Sequence, residues 1–191
     1  MAAAQEADVR DFPRTPILTR EAAYVQSIKR GRVHARQVKT RLPWLYNLYH
    51  GAFRELAEQA WREPISTAHD ERYGLVLNVQ RGKKMRFECH VDSNPVTGLL
   101  FLTSHRRGGE LVIARDISAT SVQDVDRDCS VIRPQAGHLV FFDVRQHPHY
   151  SRQLRFRWDT RVVADMNFYT KSFPESTRPP ELNIHLYGDP K

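Results

Sequence analysis

Cys89-His90-Val91-Asp92 sets an imidazole and a carboxylate two positions apart. On an extended strand, residues i and i+2 face the same way, so His90 and Asp92 would present ligand atoms side by side. A second imidazole from a distant strand would complete a facial set of two His and one carboxylate. That donor set suits non-haem Fe(II) and leaves coordination positions open for chemistry. The chain offers two such imidazoles downstream, in His147-Pro148-His149-Tyr150. His105 and His138 read as loop or surface residues. Arg161, at the head of an apolar stretch, could grip a carboxylate, because a planar guanidinium matches it bidentately and stays charged when partly buried.

The order of these pieces is more specific than any one of them. After the H-x-D come the turn Pro134-Gln135-Ala136-Gly137 and the apolar run Leu139-Val140-Phe141-Phe142, then the two histidines, then Arg161. Gly108-Gly109-Glu110-Leu111 precedes them. The sequence from Leu75 to Tyr169 thereby resembles the Fe(II)/2-oxoglutarate-dependent dioxygenase superfamily, in particular its prolyl-hydroxylase-like branch. The family pattern is H-x-D, a P-x-x-G turn with an L-x-x-F strand, a distal His and an Arg on the next strand, with a G-G-x-L segment between. The resemblance implies a double-stranded β-helix (jelly roll) that uses Fe(II), 2-oxoglutarate and O2. It implies His90 and Asp92 as iron ligands and Arg161 as the anchor for the far carboxylate of 2-oxoglutarate.

The distal ligand is His149 or His147. His149 lies 12 residues before Arg161 and His147 lies 14 before it, and the shorter interval is nearer the family spacing. The two would share a strand face, so His147 stays open. Arg152 and Arg155 are the alternative anchors. Asn78 is placed for the 1-carboxylate of 2-oxoglutarate or for substrate, and Thr103 is a similar candidate. Halogenating members of the family carry Gly or Ala where this chain keeps Asp92, so hydroxylation is expected, with release of succinate and CO2.

These groups must be held by a scaffold. Pro43 opens a helical pattern in which Leu45, Leu48, Tyr49, Ala52, Phe53, Leu56, Ala57 and Ala60 follow the spacing of one amphipathic face. An earlier helix is expected from Thr19 through Tyr24, Val25 and Ile28. After Tyr73 the pattern turns to short strands: 74–79, 85–91, 98–103, 110–114, 138–143, 161–169 and an edge strand at 184–187. Turn residues separate them and no helix signal intervenes, as in an antiparallel sandwich or barrel. The expected fold is mainly β with N-terminal helices: a helical extension over residues 1–72 packed on a catalytic core over 73–191, in one structural domain. Residues 93–98 and 115–132 could form a lid, and the N-terminal helices and the tail after Ser172 could close the pocket mouth.

Length and composition agree with this. The 191 residues suffice for one domain with a real core, and 40% hydrophobic with 27% charged is ordinary for a globular protein. No apolar run reaches a membrane span, and Met1 to Asp8 lacks the marks of a secretory signal. Cys89 and Cys129 cannot build a disulfide framework, so a cytoplasmic setting is expected. The net charge is +7, but the basic residues are dispersed rather than run together, which argues against nucleic acid. Arg30, Arg32, Lys83, Lys84, Arg106 and Arg107 could instead draw in an anionic small molecule, such as an amino acid or another carboxylate-bearing metabolite. Two other readings compete: a cupin-like metal enzyme without 2-oxoglutarate, marked by a further His, and a basic non-catalytic β-sandwich that binds nucleic acid.

Overall fold

The computed structural model describes residues 8–12, 28–83 and 87–178. Its strands are β1 (Asp8–Phe12), β2 (Ile28–Val33), β3 (Ile65–Thr67), β4 (Leu75–Arg81), β5 (Phe87–His90), β6 (Val96–Phe101), β7 (Leu111–Ala114), β8 (Cys129–Ile132), β9 (Leu139–Asp143), β10 (His149–Ser151) and β11 (Thr160–Thr170). Helices α1 (Ala35–Arg41), α2 (Pro43–His50) and α3 (Ala52–Trp61) follow β2, and the short α4 (Val122–Arg127) precedes β8. The strands form two antiparallel sheets. A seven-stranded one runs β1-β2-β4-β11-β6-β9 with β3 added on β11, and a four-stranded one runs β5-β10-β7-β8.

The period of two decides what each sheet face carries. On β4 and β11, Leu75, Leu77, Val79, Val162, Ala164, Met166 and Phe168 point to one side and pack with Leu45, Tyr49 and Ala57 of the helices. The alternate residue Val163 joins Leu99, Phe101 and Phe142 against Leu111 and Ile113 of the other sheet, so the two sheets face each other. Asn78, Gln80, Arg161 and Asp165 alternate with the helix-side residues and therefore belong to this inter-sheet face. β4 and β11 are covered on both faces, which explains a long strand with almost no exposed position.

The helical reading needs three corrections. Ile28 begins strand β2 rather than continuing a helix, and residues 13–27, where that helix was expected to start, lie outside the described residues. Strands β1, β2 and β3 also put part of the stretch before residue 73 into the larger sheet, so it is not simply helical. The helix expected from Pro43 onward is two helices, broken at Gly51, whose φ of −108° and ψ of −107° are not helical. The break turns the second segment, and Ala52, Leu56 and Ala60 stay exposed while Leu45, Tyr49 and Ala57 are buried. Helix α3 then ends on Arg62 in the left-handed region, with Pro64 just beyond. The expected edge strand at 184–187 lies outside the described residues.

Tyr49 ties the helices to the sheet. Its hydroxyl donates to the Asn167 carbonyl at 2.7 Å and accepts from the Ala68 amide at 2.8 Å. Tyr49→Phe strands both buried backbone groups and should lower stability by about 1–3 kcal/mol, read as a reduced urea midpoint. An unchanged midpoint would mean that water replaces the hydroxyl.

Candidate metal centre and carboxylate anchor

The site lies between the sheets and starts from strand register. β10 pairs antiparallel with β5, and His149 stands opposite His90. β10 also pairs with β7, so His149 sits inside its sheet, with neighbours on both sides. Strand β5 ends at His90, and Asp92 follows it outside the ladder, held by a 2.9 Å hydrogen bond from its amide to the Val144 carbonyl. His90 and Asp92 thus meet at a strand end rather than within a strand.

His90 Nε2 lies 3.3 Å from Asp92 Oδ1, and His149 Nε2 lies 3.8 Å from Asp92 Oδ2. One ligand atom from each of the three residues falls within 4.8 Å of the other two. Among the described residues this is the one group of at least three His, Cys, Asp or Glu side chains so arranged. The His149 ring stands edge-on to Phe142, with 5.0 Å between centroids, and its Nδ1 donates to the His147 carbonyl at 3.0 Å. That bond fixes the ring and leaves the Nε2 lone pair toward Asp92. His147 is turned elsewhere: its own Nδ1 bonds the Ala114 carbonyl at 2.8 Å.

The protonation states suit a metal. Burial opposes ionisation of Asp92, but the His90 hydrogen bond and the charges of His90, His149 and Arg32 outweigh it and hold the carboxyl at about 2. Burial, with His90 beside it, pushes the His149 imidazole down to about 4 against the pull of Asp92. At neutral pH the site therefore offers a carboxylate and a neutral imidazole, the ligating forms.

Arg161 opens β11 opposite Gln80 of β4. It is only 3% exposed. Its Nη1 donates to Gln80 Oε1 at 2.9 Å, and its guanidinium lies 5.4 Å from the Phe101 ring centroid. Its Nε, also buried, has no hydrogen-bond partner among the described residues. Burial lowers its pKa to about 10, with Asp165 pulling the other way, so it remains a cation. Gly109 covers its stem: a Cβ there would lie 3.1 Å from Arg161 Cδ, and the backbone has a φ of +73° that favours glycine. Ser151 Oγ reaches the same Gln80 Oε1 at 3.4 Å. Ser151 is two residues beyond His149, roughly 7 Å along the strand, so the cation and the triad share one interior.

The other expected residues fall differently. Asn78 is buried at 4% exposure, and its Nδ2 donates to Asp165 Oδ2 at 2.7 Å. One of the two N–H groups of its Nδ2 is thus committed to Asp165. Thr103 Oγ1 accepts from the Val162 amide at 3.0 Å, a backbone role. Arg152 and Arg155 are exposed, unlike Arg161. Of the expected lid segments, 93–98 runs into β6 and 115–132 folds into α4 and β8. Gln80, Ser151 and Asp165 were not anticipated, although each lies an even number of positions from a residue that was.

No model of a protein family matches the sequence, and no curated protein matches it. Solved structures do. One is an oxidoreductase of the 2OG-Fe(II) oxygenase family from Burkholderia pseudomallei, with TM-score 0.56 and 13% identity over 88% of this chain and 76% of that one. Another is the non-heme alpha ketoglutarate dependent epimerase SnoN from nogalamycin biosynthesis, with TM-score 0.66 and 12% identity over 98% of this chain and 76% of that one. A third is a Pseudomonas putida prolyl-4-hydroxylase, with TM-score 0.52 and 15% identity over 88% and 79%. The chain has the fold that these oxygenases share. Among the described residues, no helix is long and apolar enough to cross a membrane.

Proposed function

We propose that this protein is an Fe(II)- and 2-oxoglutarate-dependent oxygenase on a double-stranded β-helix, which hydroxylates a small carboxylate-bearing metabolite. One observation carries the reading: a single inter-sheet space holds three convergent metal-ligand atoms and a buried arginine whose Nε lacks a partner. A buried cation with incomplete hydrogen bonding is costly unless an anion completes it. The strand order is the support for the β-helix, with β5, β10, β7 and β8 on one side and β4, β11, β6 and β9 on the other.

His90, Asp92 and His149 would hold Fe(II), and Arg161, with Gln80 and Ser151, would take the far carboxylate of 2-oxoglutarate. The metal, with 2-oxoglutarate and O2, supplies the oxidising power, releasing succinate and CO2. The chain's own part is placement. The His147 carbonyl orients His149, Gln80 orients Arg161, Gly109 packs on the arginine's stem, and Phe101 lies against the guanidinium. Asp92 fills the position that a halide would need, which favours hydroxylation over halogenation. The convergent ligand group comprises His90, Asp92 and His149 without His147, which disfavours a cupin-like site with a further His.

The test is joint stabilisation. With O2 excluded, Mn(II) and 2-oxoglutarate together should raise the melting temperature more than the sum of their separate effects, because each completes the other's site. Additive or absent shifts would sink the proposal.

A further inference from the structure

The inner face of the larger sheet carries a polar patch that the metal ligands and the Arg161 cradle do not use. Asn78 and Asp165 form its centre, joined by the 2.7 Å bond from Nδ2 to Oδ2. Asn78 Oδ1 is buried and accepts no hydrogen bond. Native interiors keep few such atoms, so an unpaired acceptor here asks for a donor that the described residues do not provide. Asp165 stands on the same face of β11 as Arg161, four residues further along. The patch also adjoins the triad: Arg32 of β2 is in register with Asn78, is 7% exposed, and its charge acts on Asp92.

We infer that Asn78 and Asp165 form the subsite for a free ammonium group on the substrate. A neutral carbonyl oxygen and a carboxylate side by side match a group that only donates. They repel both carboxylates of 2-oxoglutarate, which only accept, so the subsite belongs to the other substrate. Arg32 adds a cation to the patch, and acceptors beside a cation complement a group that carries ammonium and carboxylate together. The assignment rests on the oxygenase reading and narrows its substrate class to an unblocked amino acid or a close relative.

The experiment uses the full chain with Mn(II) and 2-oxoglutarate, without O2. Affinities for the common free L-amino acids and for their N-acetyl forms are read from thermal shifts. At least one free amino acid should bind, about tenfold or more tighter than its N-acetyl form, a difference near 1.4 kcal/mol. Asp165→Asn should weaken the free form by about tenfold and bring the ratio close to one. Asn78→Leu, which removes Oδ1 without adding charge, should also reduce the ratio, and it stands in if Asp165→Asn does not fold. No binding by any free amino acid, equal binding of the blocked forms, or an unaltered ratio in both variants would overturn the subsite while leaving the oxygenase reading in place. No shared stabilisation by Mn(II) and 2-oxoglutarate in the wild type would overturn both.

Discussion

His149→Ala should abolish metal binding and all turnover while the protein stays folded. The ring contributes one of three ligand atoms that lie within 4.8 Å of one another. Loss of outer partners alone costs metal sites roughly 10–100-fold in affinity, and loss of a ligand should exceed that. The fold should survive because His149 is held by backbone pairing to β5 and β7, which alanine keeps. Mn(II) titration followed by electron paramagnetic resonance gives the affinity, and far-ultraviolet circular dichroism gives the fold. His147→Ala is the control. It loses a bond to the Ala114 carbonyl but no ligand atom, so much of the metal affinity should remain. If the two variants lose metal equally, or His147→Ala loses more, the distal ligand is misassigned.

That choice between two histidines shows where sequence spacing stops. His147 and His149 have the same chemistry, and strand alternation puts both on one face. The structure separates them through a turn. Residues 144–147 come before β10 begins at His149, and the His147 ring bonds back to β7. Short strands lacked their own signal for the same reason. β10 has three residues, too few for any period to register, yet it carries the most buried of the candidate ligands. β2 is missed because its Ile-Lys-Arg-Gly-Arg-Val composition is basic, while the pairing with β4 that makes it a strand is remote in the chain. Local patterns were most legible where both faces are apolar, as on β4, β6 and β11. They were least legible at Asn78 and Asp165, where a buried polar pair breaks the apolar run for a reason that only their meeting across two strands supplies.

Arg161 is the residue whose replacement should separate function from stability most sharply. Arg161→Lys keeps a charge but loses the fork that matches a carboxylate, so the KM for 2-oxoglutarate should rise roughly ten- to hundredfold, the equivalent of about 1.5–3 kcal/mol. Arg161→Met removes the charge as well, and the rise should be larger. Stability should respond in the opposite sense. The guanidinium is buried and donates to Gln80, while its Nε has no partner among the described residues. A buried ion with incomplete hydrogen bonding carries a desolvation cost that an apolar side chain of similar length does not. Arg161→Met should therefore melt at or above the wild-type temperature without ligand, and lose most of the extra stabilisation that 2-oxoglutarate gives the wild type. A structural arginine would give the reverse, a lower melting temperature with an unchanged KM. In that case the anchor would pass to Arg152 or Arg155, which are exposed and would have to move inward to serve.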